Sequence, residues 1–166
     1  MYTDPIIKKY RELIETAMPG VFKSFFQGDP FRIPASNLPA LIISKSGTGV
    51  GPHSNAEDSH EIALSLTVVT DIRAERSDEQ SMTPGIAQLY DIIEGREDTT
   101  YKLKDNQCIL DILRKNQIVD ATYNLRTNLG SITQVNYGLT QGRRSAEGYA
   151  TEAQVDFIAT YSQLRT

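Results

Sequence analysis

The sequence is poor in the residues that most often carry chemistry. It has one cysteine, Cys108, among 166 residues. That excludes an intramolecular disulfide and a zinc site built on four thiolates. Its two histidines, His53 and His60, match neither a helix-face nor a finger pattern of metal ligands, and no second cysteine stands near them. Tryptophan is absent, although eight tyrosines and five phenylalanines supply large apolar side chains for a core. No apolar run approaches the roughly 18 residues of a membrane-spanning helix. No basic segment followed by an apolar stretch opens the sequence. The expectation is a protein made and kept in a reducing, aqueous compartment, with no membrane partner.

An excess of positive charge is also missing. The net charge is −4. Residues 1–83 carry 8 basic and 11 acidic side chains, and residues 84–166 carry 9 and 10. A nucleic-acid-binding arm or stripe would concentrate its basic residues. The pair Arg143-Arg144, with Tyr137 and Tyr149 nearby, reads as a solvated turn rather than a phosphate contact. At this length one full core is available without staples, and no composition shift or repeat divides the chain, so one domain over 1–166 is expected.

What is present is periodicity. Asp4-Pro5 is a cap followed by a proline suited to a first helical turn, and Ile6, Tyr10, Leu13, Ile14 and Ala17 recur at helical spacing until Pro19-Gly20. Val21–Gln27 reads as a short strand or tight connection. Three prolines keep 29–39 irregular, and Ala40–Ser44 forms a short apolar strand. Ser46–Asp58, with Gly47, Gly49 and Gly51, reads as a flexible hairpin loop. Then His60–Arg73 alternates strictly: Ile62, Leu64, Leu66, Val68 and Ile72 on one face, Glu61, Ser65, Thr67 and Asp71 on the other. The strands flanking the loop are expected to pair antiparallel as a long hairpin.

Thr83-Pro84 repeats the cap-plus-proline signal ahead of a helix carrying Ile86, Leu89, Tyr90 and Ile93 and ended by Gly95. A shorter helix is expected from Asp105, with Cys108, Ile109, Ile112 and Leu113 inward and Asn116 as its stop. Residues 118–129 suggest a strand, Ile132–Leu139 another, and 140–148 a polar turn. A long final strand carries Ala153, Val155, Phe157, Ala159 and Tyr161 on one face. The expected fold class is α+β: a mostly antiparallel sheet with a long hairpin and helices packed on one face.

No constellation in this pattern is built for catalysis. The run Gly47–Gly51 invites a phosphate-loop reading, but it lacks a Gly-Lys-Ser/Thr ending and precedes a strand instead of a helix N-terminus. His53 and His60, beside Glu57, Asp58 and Glu61, read as incidental loop polarity. No Gly-x-Ser-x-Gly elbow is present. Cys108 reads as a small buried thiol, and Asp91, Glu94 and Asp111 as water-facing carboxylates. The sequence thus points to no catalytic, cofactor-binding or metal-binding residues.

The run Leu38-Pro39-Ala40-Leu41-Ile42-Ile43, a glycine-rich and acidic loop, and then His60–Val68 resemble the tail terminator (tail completion, or minor tail) proteins of tailed phages. The helix at Ile86–Ile93, the Tyr137-Gly138 pair and the alternating strand Glu152–Tyr161 continue the likeness over nearly the whole chain. It rests on order and pattern rather than invariant residues, and Asp98–Leu129 departs from the pattern. The resemblance implies a non-enzymatic virion protein, made in the host cytoplasm. It would form a ring, commonly a hexamer, at the head-proximal end of the tail tube, ending tube polymerisation and joining tail to neck. The implied partners are copies of itself, the tail tube protein, a neck or head-completion protein, and DNA passing through the lumen without specific binding. Two alternatives stand beside it: another neck component, such as a head-closure or head–tail joining protein, and a small ligand-binding or enzymatic domain using the Gly47–Gly51 loop.

Overall fold

A computed structural model describes residues 4–28, 30, 32–52, 57–71, 84–138 and 150–164. The first helix, α1 (Pro5–Ala17), starts at its expected cap. The Asp4 carboxylate accepts hydrogen bonds from the backbone N–H groups of Ile6 (2.9 Å) and Ile7 (3.3 Å), satisfying two donors that the first turn leaves orphaned. Ile7, Tyr10 and Ile14 are buried, while Lys8–Glu12 and Arg11–Glu15 pair one turn apart on the exposed side. Helix α2 (Pro84–Glu94) ends before Gly95, and α3 (Ile109–Lys115) ends at Asn116. Helix α3 starts later than expected. Asn106 takes a left-handed φ of 51° just ahead of it, which a continuous helix would not allow.

The strands are β1 (Ser24–Gln27), β2 (Ala40–Pro52), β3 (Glu57–Asp71), β4 (Ile118–Asp120), β5 (Leu125–Asn128), β6 (Val135–Gly138) and β7 (Ala150–Leu164). They form one sheet in the order β1-β2-β3-β7-β5-β4, with β6 also pairing β7. Every pairing is antiparallel except β1 with β2. The α+β class, the mostly antiparallel sheet and the long hairpin therefore match expectation. The region 118–129 holds two short strands instead of one, because the chain turns at Ala121–Asn124, where Asn124 adopts φ 52°.

The alternating faces bury as their sequence pattern requires. Ile62, Leu64, Leu66 and Val68 of β3 and Ala153, Val155, Phe157 and Ala159 of β7 form one core with α1, α2 and α3. Tyr10 joins three elements. Its ring centroid lies 5.1 Å from that of Phe157, and its hydroxyl meets that of Thr127 on β5 at 2.8 Å. Burial raises the Tyr10 phenol to about 12, against the opposing pull of that hydrogen bond. A second, smaller cluster lies on the other face, where Ala40, Ile42, Val69 and Ala150 are covered by Ile33 and Leu38 of the proline-rich connection. Strand β2 is thus buried on both sides from Ala40 to Ile43, as its unbroken apolar run predicts.

Candidate assembly surface

The largest departure from expectation falls on Ser46–Asp58, read from sequence as a flexible hairpin loop. Residues 46–52 continue β2, and residues 57–58 already belong to β3. The register runs Gly47↔Ala63, Thr48↔Ile62, Gly49↔Glu61, Val50↔His60, Gly51↔Ser59 and Pro52↔Asp58, after an irregularity between Lys45 and Gly47. Glycine weakens a strand on entropic grounds. Here β3, itself locked to β7 along its whole length, offers a ready ladder that outweighs that weakness. A signal for this was present: the β-branched Thr48 and Val50 alternate with the glycines, which is strand periodicity. The phosphate-loop alternative loses its geometry, since the glycine run is laddered to β3 and leads into a strand.

Beyond Ile62 and Ala159, the last core residues in this direction, β2, β3 and β7 continue together as a three-stranded arm. Five further residues in β3 and β7, and four in β2, make it roughly 17 Å long. His60 and Tyr161 face each other across β3 and β7, with rings stacked at 4.5 Å and 7°. Val50, cross-strand from His60, is 66% exposed. On the outer side of β2, β1 covers only Ala40–Ile43. From Ser44 onward that edge has no strand beside it among the described residues.

Other surfaces are open as well. A cleft of about 830 Å³ lies between α1 and the β1–β2 pair, floored by Ile7, Leu41 and Ile43 and walled by Phe25, with the Arg11 guanidinium 4.4 Å from the Phe25 ring centre. At β4 and its turn, Ile118 and Tyr123 are 54% and 64% exposed. Near β6, Tyr137 packs edge-on to Tyr90, and its hydroxyl is buried with no hydrogen-bond partner. Burial, then the charges of Glu94 and Tyr90, hold that phenol far above its ordinary range.

The remaining sequence candidates disperse. Cys108 is fully buried ahead of α3, and burial raises its thiol pKa, as expected of a packing residue. Asp91 is exposed and pairs with Lys104 at 3.2 Å. Asp111 does not face water. It is 7% exposed, accepts a hydrogen bond from the Asn106 N–H at 2.8 Å and lies 3.4 Å from Lys115. The turn before α3 folds back over it, a contact that helical periodicity cannot register. His53, Ile72, Arg73, Arg143, Arg144 and Tyr149 lie outside the described residues. Among the described residues no cluster of His, Cys, Asp and Glu is arranged to hold a metal ion, and no helix is long and apolar enough to cross a membrane.

No protein-family model matches the chain, and no curated protein matches it.

Proposed function

We propose that the protein is a non-catalytic structural subunit of a phage virion, acting as a tail terminator. Copies form a ring, six on the pattern of the family it resembles, at the head-proximal end of the tail tube. The ring ends tube polymerisation and joins the tail to a neck or head-completion protein. The observation that carries this reading is the arm of β2, β3 and β7, which reaches past the core with a strand edge that no strand covers among the described residues. An uncovered edge presents backbone donors and acceptors that another sheet can extend, the usual way strands join proteins. The outer edges of β1 and β4 are unlike each other, and contacts between unlike surfaces of identical copies are heterologous, the kind that closes into rings. A net charge of −4 suits a lumen through which DNA slides without binding. The reading needs no cofactor.

The test is to add the purified protein to the polymerising tube protein of the same virus. Shorter tubes bearing a ring at one end in negative-stain images are expected. Tubes of unchanged length, with the protein left in the supernatant, would refute the reading.

A further inference from the structure

We infer that the arm edge of β2 is covered in the free protein by the same edge of a second copy, joined antiparallel about a two-fold axis near Thr48. The inference concerns the free protein and uses the same edge that the ring reading offers to a neighbouring sheet.

The edge itself specifies a strand as its occupant. From Gly47 to Pro52, past the irregularity after Lys45, every second residue turns its backbone groups away from β3, and no described strand receives them. Length then selects the partner. The other outer edges described are four residues in β1, three in β4, four in β6 and four at the end of β7 past β5, whereas this one runs for nine with an irregularity after Lys45. Among the edges described in this chain, only another copy of β2 matches it from end to end.

Charge and shape agree. Strand edges are commonly kept apart by lysines, prolines and bulges. Here the irregularity after Lys45 guards the base, and Pro52 guards the tip. Ser46–Gly51 between them carries no charge and no proline. An antiparallel pair centred on Thr48 sets Thr48 against Thr48, Val50 against Ser46, and Lys45 against the Gly51 of the other copy, so the two lysines do not meet. Room is available too. A Cβ built on Gly47 or Gly51 would find nothing within 4 Å, so no described side chain overhangs the strand at those positions. The joined molecule would carry one sheet running β7-β3-β2 and on into β2-β3-β7 of the second copy.

Charged variants at the exposed edge test this, because Thr48 and Val50 lie outside the core and the fold does not depend on them. T48K/V50K and T48E/V50E are each measured by light scattering after size exclusion, with circular dichroism confirming the fold. The wild type is expected as a dimer or a multiple of one. Each variant alone should fall to half the wild-type mass, because like charges then meet at the axis, and an equimolar mixture of the two should recover the full mass. A wild type that is monomeric at tens of micromolar would overturn the inference. So would variants that keep the wild-type mass, or a mixture that stays at half mass, which would assign the edge to a different partner. Tube capping by the wild-type protein reports on the ring reading separately.

Discussion

Asp4 shows how much one side chain can hold. Its carboxylate caps α1, its backbone N–H donates to the Gln27 side chain of β1 at 3.0 Å, and it pairs with Lys45 of β2 at 2.5 Å. One residue therefore ties the start of the first helix to two strands. Burial would raise its pKa. The hydrogen bond to Lys45 and those from the Ile7 and Ile6 N–H groups outweigh burial and hold it below the ordinary carboxylate value. A carboxyl with a lower pKa folded than unfolded stabilises the fold above its unfolded pKa, near 4, and that contribution fades as the pH falls through the folded value. Asp4→Ala should therefore cost about 1–2 kcal/mol at neutral pH and progressively less as the pH falls below about 4. Urea unfolding of both proteins at neutral pH and at a series of pH values below about 4 checks this. A pH-independent difference would mean that Asp4 acts by packing alone.

Glycine acts in opposite ways in two elements. On the arm, Gly47, Gly49 and Gly51 stand in open extended backbone, where an added Cβ comes no closer than 4.0 Å to any atom. At the end of α2, a Cβ on Gly95 would lie 2.7 Å from the Asp91 carbonyl oxygen, a backbone atom held by the helix. The triple substitution G47A/G49A/G51A should therefore keep the fold and raise its thermal midpoint slightly, since alanine loses less entropy in a strand. Gly95→Ala should cost about 1–3 kcal/mol, the usual range for overpacking. Thermal melts followed by circular dichroism compare them, and equal midpoints for the two variants would contradict the assignment. The helix-ending role of Gly95 was legible from its place after Ile93. The strand role of the arm glycines was not, because a glycine-rich, charge-poor segment reads as a loop until its partner strand is known.

Across the whole molecule, the centre of gravity is the β2-β3-β7 triplet. Leu66 lies at its middle, fully buried, opposite Ile43 on one side and Val155 on the other. A charge there would have no partner and would cost several kcal/mol, against a total stability of about 5–15 kcal/mol for a domain. Leu66→Asp should therefore yield an unfolded or aggregated chain by circular dichroism. A soluble L66D protein with native secondary structure would show that this triplet is not the core.

The sequence by itself determined what depends on neighbours a few residues apart. Alternation in 62–68 and 153–159 set which side chains point inward, helical spacing set the buried side of α1, and Asp4-Pro5, Gly95 and Asn116 marked helix ends. These are properties of backbone geometry, written locally. Only the tertiary structure decided which strands meet. Strand β7 pairs with β3 between residues that lie from 79 (Asp71 and Ala150) to 107 (Glu57 and Leu164) apart in the chain, β1 lies parallel to β2, and Asp111 is buried by a turn that folds back on it. Pairing of that range depends on the shared burial of faces far apart in sequence, so no local pattern encodes it. The same pairing made a strand of Gly47–Gly51 and left its outer edge with no strand beside it among the described residues.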